Sequence, residues 1–170
     1  MAIAMAKGKS KGKSKGKAAA VADEASGVAC GGRTLTANAK PCAACPYRRD
    51  CPSGVWDARE YVKLPTYDQE QGHEPFAVFT CHEARDGVAV CKGWLDVHGF
   101  DNLLAVRLAM MQGVDVSGLR DSPRTSVPLF STGLEACLHG LRDLRRPKAA
   151  ARLKSADLLR RHPELKVGGE

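Results

Sequence analysis

A chain of 170 residues that is 44% hydrophobic and only 5% aromatic has room for one modest core with tails. Without a run of about 18 apolar residues it has nothing to cross a membrane with. Its formal charge of +7 is concentrated rather than spread: Lys7, Lys9, Lys11, Lys13, Lys15 and Lys17 all precede the first acid, so the rest of the chain is nearly neutral.

Residues 1–39 read as a disordered Lys/Gly/Ser/Ala-rich tail and linker, because a repeat of Gly-Lys-Ser-Lys cannot bury apolar surface. Lys9, Lys11, Lys13 and Lys15 are candidates for sequence-independent contact with DNA or RNA phosphate; a solubilising leader is the alternative. The Gly-Lys-Ser triplets are no P-loop, since Gly8 and Gly12 are one residue too close. The apolar start precedes the lysines, the reverse of a signal peptide, so the expected compartment is cytoplasmic. There the seven cysteines would be reduced, and their spacing reads as metal ligation or redox chemistry before disulfides. Cys30, beside Gly31 and Gly32, reads as a lone linker thiol.

The cysteine-rich domain is expected over residues 40–165, with 166–170 a tail. Its first stretch, PCAACPYRRDCPSGVW from Pro41 to Trp56, is dense in thiols, prolines and turn residues. Cys42-x2-Cys45 is the spacing at which one tight turn aims two thiolates at one metal ion, and Cys51 is a possible third. Pro46 and Pro52-Ser53-Gly54 make two turns, and Asp57 with Glu60 predicts a capped helix running to Leu64 and stopped by Pro65. Arg48, Arg49 and Trp56 would form the shell of the site, with Trp94 from further along.

FAVFTC and VAVC, around Asp86-Gly87, read as a β-hairpin. A three-residue loop would set Cys81 directly opposite Cys91, β-carbons roughly 4.5 to 5.5 Å apart. A two-residue loop would set Cys91 opposite His82, itself a possible ligand. The expected ligand set is Cys42, Cys45, Cys81 and Cys91. Zinc is the commoner occupant of four-cysteine sites, but the wide second pair is no zinc knuckle, and the proline after Cys45 is common beside iron–sulfur ligands; the balance tips to a [4Fe-4S] cluster over zinc.

Three further helices complete the expectation: a buried one from Gly99 to Met111, capped by Asp101 and closed by Gly113; one opened by Ser131 or Thr132 with Glu135, burying Leu134, Cys137, Leu138, Leu141 and Leu144; and one from Pro147 to before Pro163. Arg152 and Arg160 on the last are a second nucleic-acid candidate, against the simpler reading of a solvated face. His98 and His139 read as structural.

The run PCAACPYRRD-x-PSGVW, followed by F-x-C-H and C-x-G-W, resembles an uncharacterised cysteine-rich family of actinobacteria and their phages. That resemblance implies a site made from Cys42, Cys45, Cys81 and Cys91, leaves Cys51 outside the shared pattern, and implies no established activity. Over some fifteen residues the chain is also similar to WhiB-like iron–sulfur regulators, whose Cys-x2-Cys-Pro-x-Arg-Arg-x-Cys and Gly-Val-Trp turn match Cys42, Cys45, Arg48, Arg49, Cys51, Gly54, Val55 and Trp56. The likeness ends at Asp57, where those regulators have glycine.

The expectation is therefore an α+β cysteine-rich domain with a metal-bound loop, one β-hairpin and three to four helices. Its expected work is metal-dependent regulation or binding, with nucleic acid or a protein of the transcription machinery as partner and no membrane. A purely structural zinc module in an interaction protein is the alternative, and a thiol oxidoreductase the second. The motifs of hydrolases, dinucleotide enzymes and zincins are absent, which argues against an enzyme.

Overall fold

The structure, a computed structural model, describes residues 34–68, 75–84 and 89–168. Lys9, Lys11, Lys13, Lys15, Cys30 and the turn at Arg85-Asp86-Gly87 lie outside the described residues. The class is α+β. Among the described residues there are six α-helices, shorter and more numerous than the sequence suggests, and a two-stranded parallel sheet; none of the helices is long and apolar enough to cross a membrane.

The sheet pairs β1 (Thr36–Ala37) with β2 (Ala89–Val90), Thr36 beside Ala89 and Ala37 beside Val90. On the other side of β2, among the described residues, the expected hairpin is present as one antiparallel bridge, Thr80 to Val90. Immediately after β2 the chain turns into α2 (Lys92–His98), with Cys91 as its N-cap. This helix is not legible in CKGWLDVH, where glycine and valine depress helix propensity. It ends at Gly99, whose φ of +78° is left-handed.

Helix α1 (Ala58–Val62) is capped as expected, the Asp57 carboxylate accepting from the Arg59 amide at 2.9 Å. Glu60 does not close the capping box; it turns instead to Lys63 and His82. Pro65 does not stop the chain, which continues as a 3₁₀ turn over Leu64–Asp68, where a proline near the start removes no needed donor.

The expected buried helix at 99–111 is corrected. A 3₁₀ turn over Phe100–Asn102 comes first, then α3 (Leu104–Met111), which buries only Ala105 and Val106 and leaves Met111 83% exposed. Asp101 is not its cap; Leu103 is. A short α4 (Ser117–Arg120) follows.

Helix α5 (Gly133–Arg142) opens as its sequence predicts, with Thr132 Oγ1 accepting from the Glu135 amide and Glu135 accepting from the Ser131 amide. Its buried face is rotated from the one expected: Cys137 is buried and Leu141 and Leu144 pack partly buried against the core, but Leu134 and Leu138 do not. Gly133, Ala136, Cys137 and Gly140 face inward, while Leu134 and Leu138 face out. Close approach decides this: a Cβ on Gly140 would fall 2.0 Å from the Tyr61 ring, and one on Gly133 2.3 Å from the Leu64 carbonyl oxygen. The Asp68 carboxylate accepts from the amides of both Gly133 and Leu134 at 2.7 Å, fastening the 3₁₀ turn to the helix start.

Helix α6 (Ala149–Arg161) closes the domain on the outside of residues 41–56. Ser155 donates to the Val55 carbonyl at 2.9 Å and Lys154 to the Ala43 carbonyl at 2.8 Å. Trp56, Tyr47 and Tyr61 are the largest fully buried side chains, so the core is centred on the thiol loop itself.

Candidate metal centre

The loop from Pro41 to Trp56 is a succession of tight turns. Cys45 N–H donates to Cys42 O at 3.0 Å, Arg48 N–H to Cys45 O at 3.1 Å, and Cys51 N–H to Arg48 O at 3.3 Å. The first turn closes the Cys42-x2-Cys45 knuckle and brings its thiols to one side. The carbonyls between them are both used: Ala43 accepts from Lys154 and Ala44 from Trp56 Nε1 at 2.7 Å. Trp56 is thus held from one end by the loop and, through its own amide and that of Val55, by the Tyr61 hydroxyl at the other. At about 1 kcal/mol for each net hydrogen bond, these ties fix the knuckle more firmly than its short turns would alone.

The other two thiols arrive on the strand remnants. Cys81 N–H donates to Ala89 O at 2.8 Å and Cys91 N–H to Phe79 O at 2.7 Å. The register is therefore neither of the two expected: Cys81 opposes Ala89, and Cys91 opposes Phe79. Because the slip from the three-residue-loop register is two residues rather than one, Cys81 and Cys91 keep the same face and become diagonal neighbours.

The four thiols meet in a chain of pairs. Cys45 Sγ lies 3.7 Å from Cys91 Sγ, and Cys42 interacts with both Cys45 and Cys81. Cys45, Cys81 and Cys91 are buried, whereas Cys42 is partly exposed. Hydrogen bonds from the Cys45 and Cys81 thiols, with a smaller contribution from His82, hold the Cys42 thiol far below the ordinary range, at about 3. Donating to Cys42 pushes Cys45 and Cys81 upward, and burial adds to both. Thiolate sulfur is both the nucleophilic and the metal-ligating form of cysteine, so a thiol lowered in this way is the reactive member of the group. Among the described residues no three or more His, Cys, Asp or Glu side chains are grouped so as to hold a metal ion as they stand.

Two residues that sequence reasoning missed complete the surroundings. Asn38 Nδ2 donates to Cys81 Sγ at 3.6 Å, brought there by β1. Gly93, in the first turn of α2, lets the helix rest on Cys45: a Cβ there would fall 2.5 Å from the sulfur. The glycine of C-x-G-W was the available signal.

The other expected site residues are distributed as follows. Cys51 is buried, its thiol pushed up to about 11, chiefly by desolvation and in part by nearby Cys42, without the thiol hydrogen bonds that link the other four. Its carbonyl accepts from His139 Nε2 at 2.8 Å. His82 stacks on Trp56, ring centroids 4.3 Å apart, with Nε2 3.4 Å from Glu60. Arg48 forks onto Asp50 and also donates to the Pro41 carbonyl. Arg49 donates to the Leu129 carbonyl at 2.7 Å and lies over Phe130. Trp94 is buried with Tyr67 and Phe79, its Nε1 without a hydrogen-bond partner among the described residues. Arg160 is paired with Asp157, and Arg152 is exposed on α6, far in sequence from any thiol. Next to Cys91, Lys92 forms a buried ion pair with Asp96 at 2.8 Å, and Asp96 also accepts from the Thr125 amide.

Comparison with known proteins gives a family without a function. A family model described as a family of unknown function (DUF6283) matches residues 37–154, and the chain belongs to that family. No curated protein and no solved structure matches it.

Proposed function

We propose that Cys42, Cys45, Cys81 and Cys91 together bind one tetrahedral metal ion, zinc before others, and that the protein is a small binding module built around this structural centre. The observation that carries the reading is the 3.7 Å between Cys45 Sγ and Cys91 Sγ. Four thiolates at about 2.3 Å from one zinc ion stand about 3.8 Å from each other, the edge of the tetrahedron. A cuboidal iron–sulfur cluster binds each thiolate through a separate iron, which spreads the four sulfurs further apart. The spacing therefore favours a single ion over the cluster that the sequence tipped toward.

The centre would supply folding free energy. The strands are two residues long, so an ion shared by thiols from segments distant in sequence would add to the packing that joins the knuckle, β2 and the chain at Cys81. For its work, a protein partner is better supported than nucleic acid on α6, where Arg160 and Arg161 are engaged by Asp157 and Glu83, and Lys154 by the Ala43 carbonyl.

The test is metal analysis with absorption spectroscopy on protein purified without oxygen. A colourless protein with one zinc per chain is expected. Brown protein with a visible cluster band, or protein with intact fold and no bound metal, would overturn the proposal.

A further inference from the structure

We infer that the outer line of α5, together with Arg49 and Phe130, is a docking surface for an acidic protein segment carrying apolar side chains at helical spacing. The inference stands apart from the metal reading.

Leu134, Leu138 and Arg142 follow one another at four-residue intervals, so they form one stripe along α5. The two leucines are 51% and 62% exposed. Single exposed leucines are ordinary, but Leu138 lines an open groove of about 480 Å³ with Arg49, Phe130, His139, Arg142 and Glu135, and Leu134 lies one turn before it on the same stripe. The stripe is apolar at Leu134 and Leu138 and cationic at Arg142, and Arg49 flanks it beside Glu135.

The charges decide the partner. Arg49 spends Nε on the Leu129 carbonyl, and its terminal amino group lies 3.9 Å from Glu135, beyond hydrogen-bonding distance. Arg142 stands 3.7 Å from Asp143, which already accepts from Ser53. Glu135 accepts from the Ser131 amide as part of the helix cap. Both guanidinium groups thus keep donors facing solvent, while the nearby carboxylates are engaged in the fold. Carboxylates are the matching ligands, and forked pairing with arginine would fix register along the stripe. Single-stranded nucleic acid fits less well. Its bases need an open aromatic face, and Phe130 has Arg49 over it at 5.5 Å and the His139 ring at 5.0 Å. An amphipathic acidic helix would lay leucines against Leu134 and Leu138 and carboxylates on Arg49 and Arg142.

The experiment is fluorescence anisotropy on the full chain with three probes: a labelled peptide with glutamates and with leucines at helical spacing, an all-glutamate peptide of equal charge, and oligothymidine. The lysine leader attracts any polyanion, so the leucine-dependent difference between the peptides is the quantity read. The leucine-containing peptide should bind more tightly, and Leu138→Asp and Arg142→Glu should each weaken it about tenfold or more, as for loss of one central anchor, with circular dichroism unchanged. Arg152→Glu on α6 should leave the difference intact. Equal binding of the two peptides, indifference to Leu138→Asp, or a preference for oligothymidine that Arg142→Glu abolishes would overturn the inference.

Discussion

Gly93 rests against Cys45 so closely that a methyl group on it would stand 2.5 Å from the sulfur. The first turn of α2 can approach the thiol knuckle only because position 93 has no side chain. Gly93→Ala tests this. Alanine is the better helix former by about 1 kcal/mol, so a site with room would gain stability. Overpacking costs typically 1–3 kcal/mol, and here the clashing atom is a buried thiol with its own partner in Cys91. The clash should win: a lower melting temperature and reduced zinc content are expected, and a stabilised variant with full metal would show that α2 can move away from Cys45.

The ligand set is tested by serine substitution. Cys42→Ser, Cys45→Ser, Cys81→Ser and Cys91→Ser should each lose metal and stability together, because three thiolates leave the ion short of its tetrahedral set. Cys137→Ser, on the buried face of α5, should keep full metal. Cys51→Ser should also keep it, its thiol sharing none of the hydrogen bonds that link the other four. Metal loss in Cys51→Ser with retention in Cys81→Ser would replace the hairpin thiols by the WhiB-like pattern.

The convergence of the four thiols is largely legible in the chain, because the turn of a Cys-x2-Cys run is a local signal. Cys42-x2-Cys45 specifies its own turn, and even a wrong register keeps Cys81 and Cys91 on one face as long as the slip is even. What the chain conceals depends on tertiary contact. The burial of Gly133 and Gly140 in place of Leu134 and Leu138 follows from Tyr61 and Leu64 pressing on α5, and helical periodicity cannot distinguish a leucine stripe that packs from one that waits in solvent. Asn38 and Lys154 reach the site from segments remote in sequence, through a parallel strand and a closing helix that no local pattern announces.

Acid should destabilise the fold in a defined window. The hydrogen bond to His82, reinforced by Lys63, lowers the Glu60 carboxyl from its usual 4.5 to about 2. A depressed folded pKa means stabilisation that is present above the unfolded value and is lost as pH falls toward the folded one. This contribution therefore fades between about 4.5 and 2. Thiolate protonation also releases metal in acid, so the informative measurement is the difference between wild type and Glu60→Gln in chemical denaturation across that range. The wild type should be the more stable at neutral pH, and the two should converge toward pH 2; a constant difference would show that Glu60 acts by packing rather than by charge.

Removal of the metal distinguishes a structural centre from a sensing one. Structural zinc in small domains contributes about 10–16 kcal/mol of apparent binding free energy, while an ordinary domain is stable by about 5–15 kcal/mol in total. If the ion binds across the Cys42 knuckle, Cys81 and Cys91, its loss removes a contribution as large as the whole net stability, and the chain should unfold rather than switch. α5 and α1 have contacts of their own through Tyr61 and Gly140, but that small cluster rests on Trp56 and the loop above it. Chelation followed by circular dichroism should show loss of most helical signal, recovered when zinc is added back. A chelated protein that keeps its helices and still melts cooperatively would mean that the thiols stabilise little, and that metal binding serves as a graded signal instead.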